Sequence, residues 1–144
     1  MPSAFDGGEY QLCESLLTPA ELRFFQTLSV AIAGKHLIFA KVRLGDLLEV
    51  PSGTPDERAW RNRVQSKHLD FVICDRVHTR PLVAIELDDS THRRPDRVER
   101  DEQVDRFCDD AGLPLVRFRV ERAFDHRAIW ERLAHVLEVP AEAT

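Results

Sequence analysis

Two apolar runs, FVIC at residues 71–74 and LVAIEL at residues 82–87, flank a short polar stretch, DRVHTRP. Runs of this length, rich in β-branched residues and separated by turn formers, predict a β-hairpin. Their near-continuous apolar character predicts strands covered on both faces, as in the middle of an α/β sheet. Carboxylates are written into this hairpin: Asp70 opens the first strand, and Glu86 and Asp88 close the second. With His78 as the middle of the connection, Asp70 and Glu86 are equidistant from it and face each other. Directly opposed residues have Cβ atoms about 5 Å apart. Alternation along the strand puts Asp88 on the Glu86 face. Three carboxylates are therefore expected on one patch among apolar neighbours. Like charges so placed repel unless a cation lies between them. A hard divalent ion, Mg2+ or Mn2+, suits such an oxygen-only set and leaves room for a substrate phosphate. The alternative is that Asp70 and Glu86 are core ion-pair partners of Arg100, Arg117 or Lys67.

The flanking segments supply helices and further strands. Thr18, Pro19 and Glu21 form a helix start: an N-cap, a first-turn proline and the third member of a capping box. Leu22, Phe25, Leu28, Val30 and Ile32 are expected on its core side, and Gly34 near its end. Residues 36–42 read as a strand, and 43–48 as its continuation or a short helical turn. Residues 51–67, PSGTPDERAWRNRVQSK, read as a long irregular connection. Its Arg58, Arg61, Arg63 and Lys67, with Trp60 among them, suit either phosphate contact and base stacking or a solvated loop. The loop 89–95 carries His92, with Arg93, Arg94 and Arg97 close by. A helix over 96–111 places Arg100, Val104, Phe107 and Ala111 on one stripe, with Gly112 as its stop. A strand over 113–120 follows, and strand–helix–strand implies a parallel crossover. Asp125 caps a last helix that buries Ile129, Leu133, Val136 and Leu137 and stops before Pro140. The order predicts an α/β domain: a central mixed β-sheet of about four strands flanked by helices.

Composition sets limits on function. A chain of 144 residues with 43% hydrophobic and 31% charged residues is expected to form one globular domain, residues 12–144, behind a loose tail at 1–11. No apolar run approaches the ~20 residues that span a bilayer, and no signal-like segment opens the sequence, so a cytoplasmic location is expected. The three cysteines form no CxxC pair, and Cys74 and Cys108 read as small core hydrophobes. A net charge of −5 argues against strong nonspecific nucleic-acid binding. The basic residues are nevertheless clustered, and several acids are the proposed metal ligands.

In order and spacing, Asp70-Phe71, Glu86-Leu87-Asp88, His92, Arg100-Asp101 and Gly112-Leu113-Pro114-Leu115-Val116-Arg117 resemble the restriction-endonuclease-like, or PD-(D/E)xK, nuclease superfamily. The likeness is nearest to the very-short-patch-repair (Vsr) endonuclease branch and to a related bacterial domain family of unknown function. It covers residues 17–120. It implies a restriction-endonuclease-like fold and a magnesium-dependent endonuclease acting on DNA, in repair or defence, with protein partners in such an assembly. Asp70, Glu86, Asp88 and the Leu87 carbonyl would hold the metal, with Glu21 of the first helix nearby. His92 would be the general base, with Lys67 as the alternative. Arg100 and the cluster Arg93, Arg94 and Arg97 would meet the phosphate, and Arg61 the nucleic acid. One departure stands out: Asp88 occupies the position where the superfamily signature has lysine. That favours a histidine-using variant, or a catalytically inactive module that binds nucleic acid or a protein partner.

Overall fold

The computed structural model describes residues 9–89 and 94–138. Within them the chain forms α1 (Pro19–Ile32), β1 (Leu37–Arg43), α2 (Leu44–Leu47), α3 (Glu57–Gln65), β2 (His68–Cys74), β3 (Pro81–Asp88), α4 (Pro95–Ala111), β4 (Leu115–Arg119) and α5 (His126–Leu137). The strands make one mixed sheet in the order β1-β2-β3-β4. β1, β2 and β3 are antiparallel, and β4 joins β3 in parallel across the α4 crossover. This is the α/β architecture that the element order predicts. Most of the expected tail, residues 1–8, lies outside the described residues.

Helices cover both faces of the sheet. On one face, Phe24, Leu28 and Ile32 of α1 and Ile129, Leu133 and Leu137 of α5 pack on Phe71, Ile73, Val83 and Ile85. On the other, Leu44, Val64, Val104 and Cys108 pack on Leu69, Val72, Cys74 and Ala84. The two cysteines are core residues as expected. Burial, with the nearby Asp105 charge, pushes the Cys108 thiol up to about 11. Among the described residues no helix is long and apolar enough to cross a membrane.

The hairpin register carries the site. Phe71 pairs with Ile85, Val72 with Ala84 and Ile73 with Val83, and the same register places Asp70 opposite Glu86. A bulge between Ile73 and Cys74 absorbs the odd residue of the connection, so the register nearer the carboxylates is kept.

Two readings of the flanks are corrected. Leu22 and Val30 are exposed, and the buried stripe of α1 is Phe24, Leu28 and Ile32, which repeat at the four-residue spacing of one helical face. The stretch at 51–67 is not irregular throughout, because α3 occupies its middle. Val64 is its one buried residue, so the segment offers no apolar period to read.

Candidate active site

A cavity of about 470 Å³ opens at the end of the sheet where β2 begins and β3 ends. Asp70, Glu86, Leu87 and Asp88 line it from the strands, Glu21 from α1, and Arg97, Arg100 and Asp101 from α4. Glu86 is the one buried charged side chain among the described residues, at 7% exposure. A larger groove of about 740 Å³ runs between α2 and α3, but its walls carry no buried charge.

The carboxylates are held by different means. Asp70 Oδ2 accepts a hydrogen bond from the Leu87 amide at 2.7 Å. This fixes the Asp70 side chain across the hairpin, beside Glu86. Glu86 Oε1 is buried without a hydrogen-bond partner. The Arg100 guanidinium stands 3.5 Å from it, within ion-pair reach, but spends its hydrogen bonds elsewhere: on the His68 carbonyl at 2.9 Å and on Asp101 at 3.3 Å. Burial pushes the Glu86 carboxyl up from 4.5, and the hydrogen bond and charge of Asp70 push it further. Arg100 and Arg117 pull the other way, and the balance lies at about 8. Glu86 therefore takes up a proton unless a stronger cation comes to the pair. Arg117 of β4 also reaches the wall, but its guanidinium bonds Asp105. Glu21 closes the capping box of α1, its Oε1 accepting from the Thr18 amide at 2.8 Å while Thr18 Oγ1 accepts from the Glu21 amide. The Lys41 ammonium lies 3.6 Å from the same Oε1.

The family described as "Protein of unknown function (DUF2726)" matches residues 13–136, a span that includes the whole cavity wall. The chain belongs to the DUF2726 family. No curated protein and no solved structure matches it.

In this DUF2726 chain the fold brings Asp70, Glu86, Leu87, Asp88, Glu21, Arg97 and Arg100 to one cavity. Other expected site residues lie elsewhere. The Lys67 ammonium bonds the Arg63 carbonyl and sits 5.9 Å from the Phe107 ring, away from the carboxylates, because α3 turns the chain just before β2. Arg61 is on α3, paired with Glu57 at 2.6 Å, and lines the larger groove. Arg94 precedes the first turn of α4, exposed and off the wall. His92 and Arg93 lie outside the described residues. The ion-pair alternative is met in part, since Arg100 faces Glu86 while Arg117 turns to Asp105. Two contributors are not marked by the sequence: His68 on the wall and Lys41 behind Glu21. For Lys41 a signal existed, a lysine inside the otherwise apolar run LIFAKV at residues 37–42.

Among the described residues no group of three or more His, Cys, Asp or Glu side chains is already gathered tightly enough to hold a metal. The donors nevertheless fit a hard divalent ion. Glu86 Oε1 is a buried oxygen without a hydrogen bond, Asp70 faces it, and Asp88 and the Leu87 carbonyl follow on the same strand.

Proposed function

We propose that this protein is a metal-dependent nuclease that hydrolyses DNA phosphodiester bonds, with Asp70 and Glu86 as the principal Mg2+ or Mn2+ ligands and Asp88 and the Leu87 carbonyl as further donors. The observation that carries this reading is the Asp70–Glu86 opposition at a cavity, with Glu86 buried and one of its oxygens left without a hydrogen bond. When bound, the ion supplies Lewis acidity toward phosphate and acidifies water. The chain's own residues do the rest. The Leu87 amide orients Asp70, and Arg100 restrains Glu86. Arg97, on the wall and exposed, is available to a phosphate oxygen through its planar fork. His92, in the segment just before α4, takes the proton of the attacking water. The resemblance to PD-(D/E)xK nucleases supports phosphodiester chemistry in particular, and a cytoplasmic place in repair or defence accords with it.

The test is cleavage of plasmid, single-stranded DNA and RNA with Mg2+, Mn2+ or EDTA, comparing wild type with Asp70→Asn and Glu86→Gln. Metal-dependent DNA cleavage in the wild type, reduced at least about a hundredfold in either variant, is the expected result. Asp88 at the superfamily's lysine position favours a second reading, a non-catalytic module on the same scaffold. Metal binding by calorimetry without cleavage of any substrate would select it, and absence of both would reduce the carboxylates to ion-pair partners of Arg100.

A further inference from the structure

The backbone of β1 has an irregularity beside the carboxylate cavity. Among the described residues, four other than glycine have positive φ: Ala33, Lys41, Asp56 and Thr79. Ala33 and Asp56 cap helices and Thr79 lies in the hairpin connection, all three outside the strands. Lys41, at φ +53, is the one inside a strand. Lysine has no local hydrogen bond to offer in return for this left-handed conformation, which L side chains avoid.

Its position gives the irregularity a purpose. Ala40 pairs with Phe71 and Val42 with Leu69, so Lys41 lies opposite Asp70. Ala40 packs with the α1 face of the sheet and Val42 with the α4 face, although a regular strand would put both on one face. The alternation of β1 therefore reverses at Lys41. The result is a lysine directed to Glu21 of α1, whose carboxylate forms part of the cavity wall. Local irregularities that re-aim a side chain are a recurring device beside functional sites.

Charge at the cavity defines the task. Arg100 is engaged with Glu86, Asp101 and the His68 carbonyl, and Arg117 with Asp105. The Lys41 ammonium, by contrast, lies 3.6 Å from Glu21, close enough for attraction and too far for a hydrogen bond, with a third of its side chain exposed. Its four-carbon stem lets it move a few ångströms without disturbing the sheet.

We infer that Lys41 is a phosphate-contacting residue of the nucleic-acid site, held near Glu21 by its strained backbone and transferred to a substrate phosphodiester when nucleic acid enters the cavity. The inference rests on the nuclease reading and assigns that site a contact on β1. The experiment is fluorescence-anisotropy titration of labelled single- and double-stranded DNA in Ca2+ over a range of salt, with wild type, Lys41→Gly, Lys41→Asn and Lys41→Arg. Each protein is also melted and assayed for cleavage in Mg2+. Glycine and asparagine accept positive φ, so those two variants should melt no lower than wild type. They should bind DNA about tenfold more weakly, with the salt slope lower by about one, while Lys41→Arg keeps the slope. Neutral variants that bind with wild-type affinity and slope would overturn the Lys41 assignment and leave the nuclease reading standing on wild-type cleavage. A loss of affinity accompanied by a lower melting temperature and an unchanged slope would make Lys41 a structural partner of Glu21, and would also overturn it. A wild type that neither binds nor cleaves DNA would remove the nuclease reading and this inference together.

Discussion

Glu86 shows how far one side chain can set the behaviour of its surroundings. Its carboxyl is raised from 4.5 to about 8, first by burial and then by Asp70. A group whose pKa is higher in the folded state binds its proton more tightly there. Its contribution to stability is complete below about pH 4.5 and is lost as pH rises toward about 8. In EDTA, the stability of the wild type should therefore fall between about pH 5 and pH 8 by on the order of a few kcal/mol. Glu86→Gln, which has no proton to lose, should flatten that slope. Denaturant melts across this range measure it, and a wild-type profile parallel to that of Glu86→Gln would show that Glu86 titrates normally. The Asp70–Glu86 opposition was legible in the sequence because register in a hairpin depends on counting, and the bulge at Ile73/Cys74 lies on the turn side of the carboxylates. The aim of Lys41 was not legible, because it depends on a dihedral angle that residue type does not specify.

Among the elements, α1 shows what pattern reading captures and what it misses. Its start was legible, since Thr18 and Glu21 form the capping box that their spacing implies. Its buried face was not, because apolar residues occur all round it and only packing selects among them. Phe24 is fully buried, with its ring 5.1–5.5 Å from those of Phe118, Phe124 and Phe71, whereas Leu22 is 45% exposed. Phe24→Ala should thus cost about 3–5 kcal/mol, and Leu22→Ala less than about 0.5 kcal/mol. Urea denaturation of the two variants distinguishes this stripe from one centred on Leu22, for which the two costs would be comparable. The opposite failure occurred at α3, where a single buried residue, Val64, leaves a helix without an apolar period. Lys67 stands just before β2 in sequence, which suggests it for the carboxylates, but in the fold its ammonium bonds the Arg63 carbonyl on α3.

At the scale of the molecule, five separate segments meet at one end of the sheet: the start of α1, the start of β2, the end of β3, the first turns of α4, and β4. Each brings charge, and the arrangement places Glu21, Asp70, Glu86 and Asp88 around a single cavity, where Glu86 is the one buried charged side chain among the described residues. A ligand that neutralises this cavity should stabilise the whole fold, because the carboxylates come together only in the native state. Binding to the folded state alone adds about 2.7 kcal/mol at a ligand concentration a hundredfold above Kd, which in a domain of this size raises the melting temperature by several degrees. Mn2+ or Mg2+ should therefore raise the melting temperature near pH 8, and less so near pH 5, where the Glu86 proton competes with the ion. Asp70→Asn and Glu86→Gln should each remove most of the rise. Thermal melts of the three proteins with and without metal at the two pH values read the effect without any substrate. A wild type that melts at the same temperature in EDTA and in saturating metal at both pH values would leave the opposed carboxylates to Arg100 and a shared proton, and would remove the basis for a metal at this site.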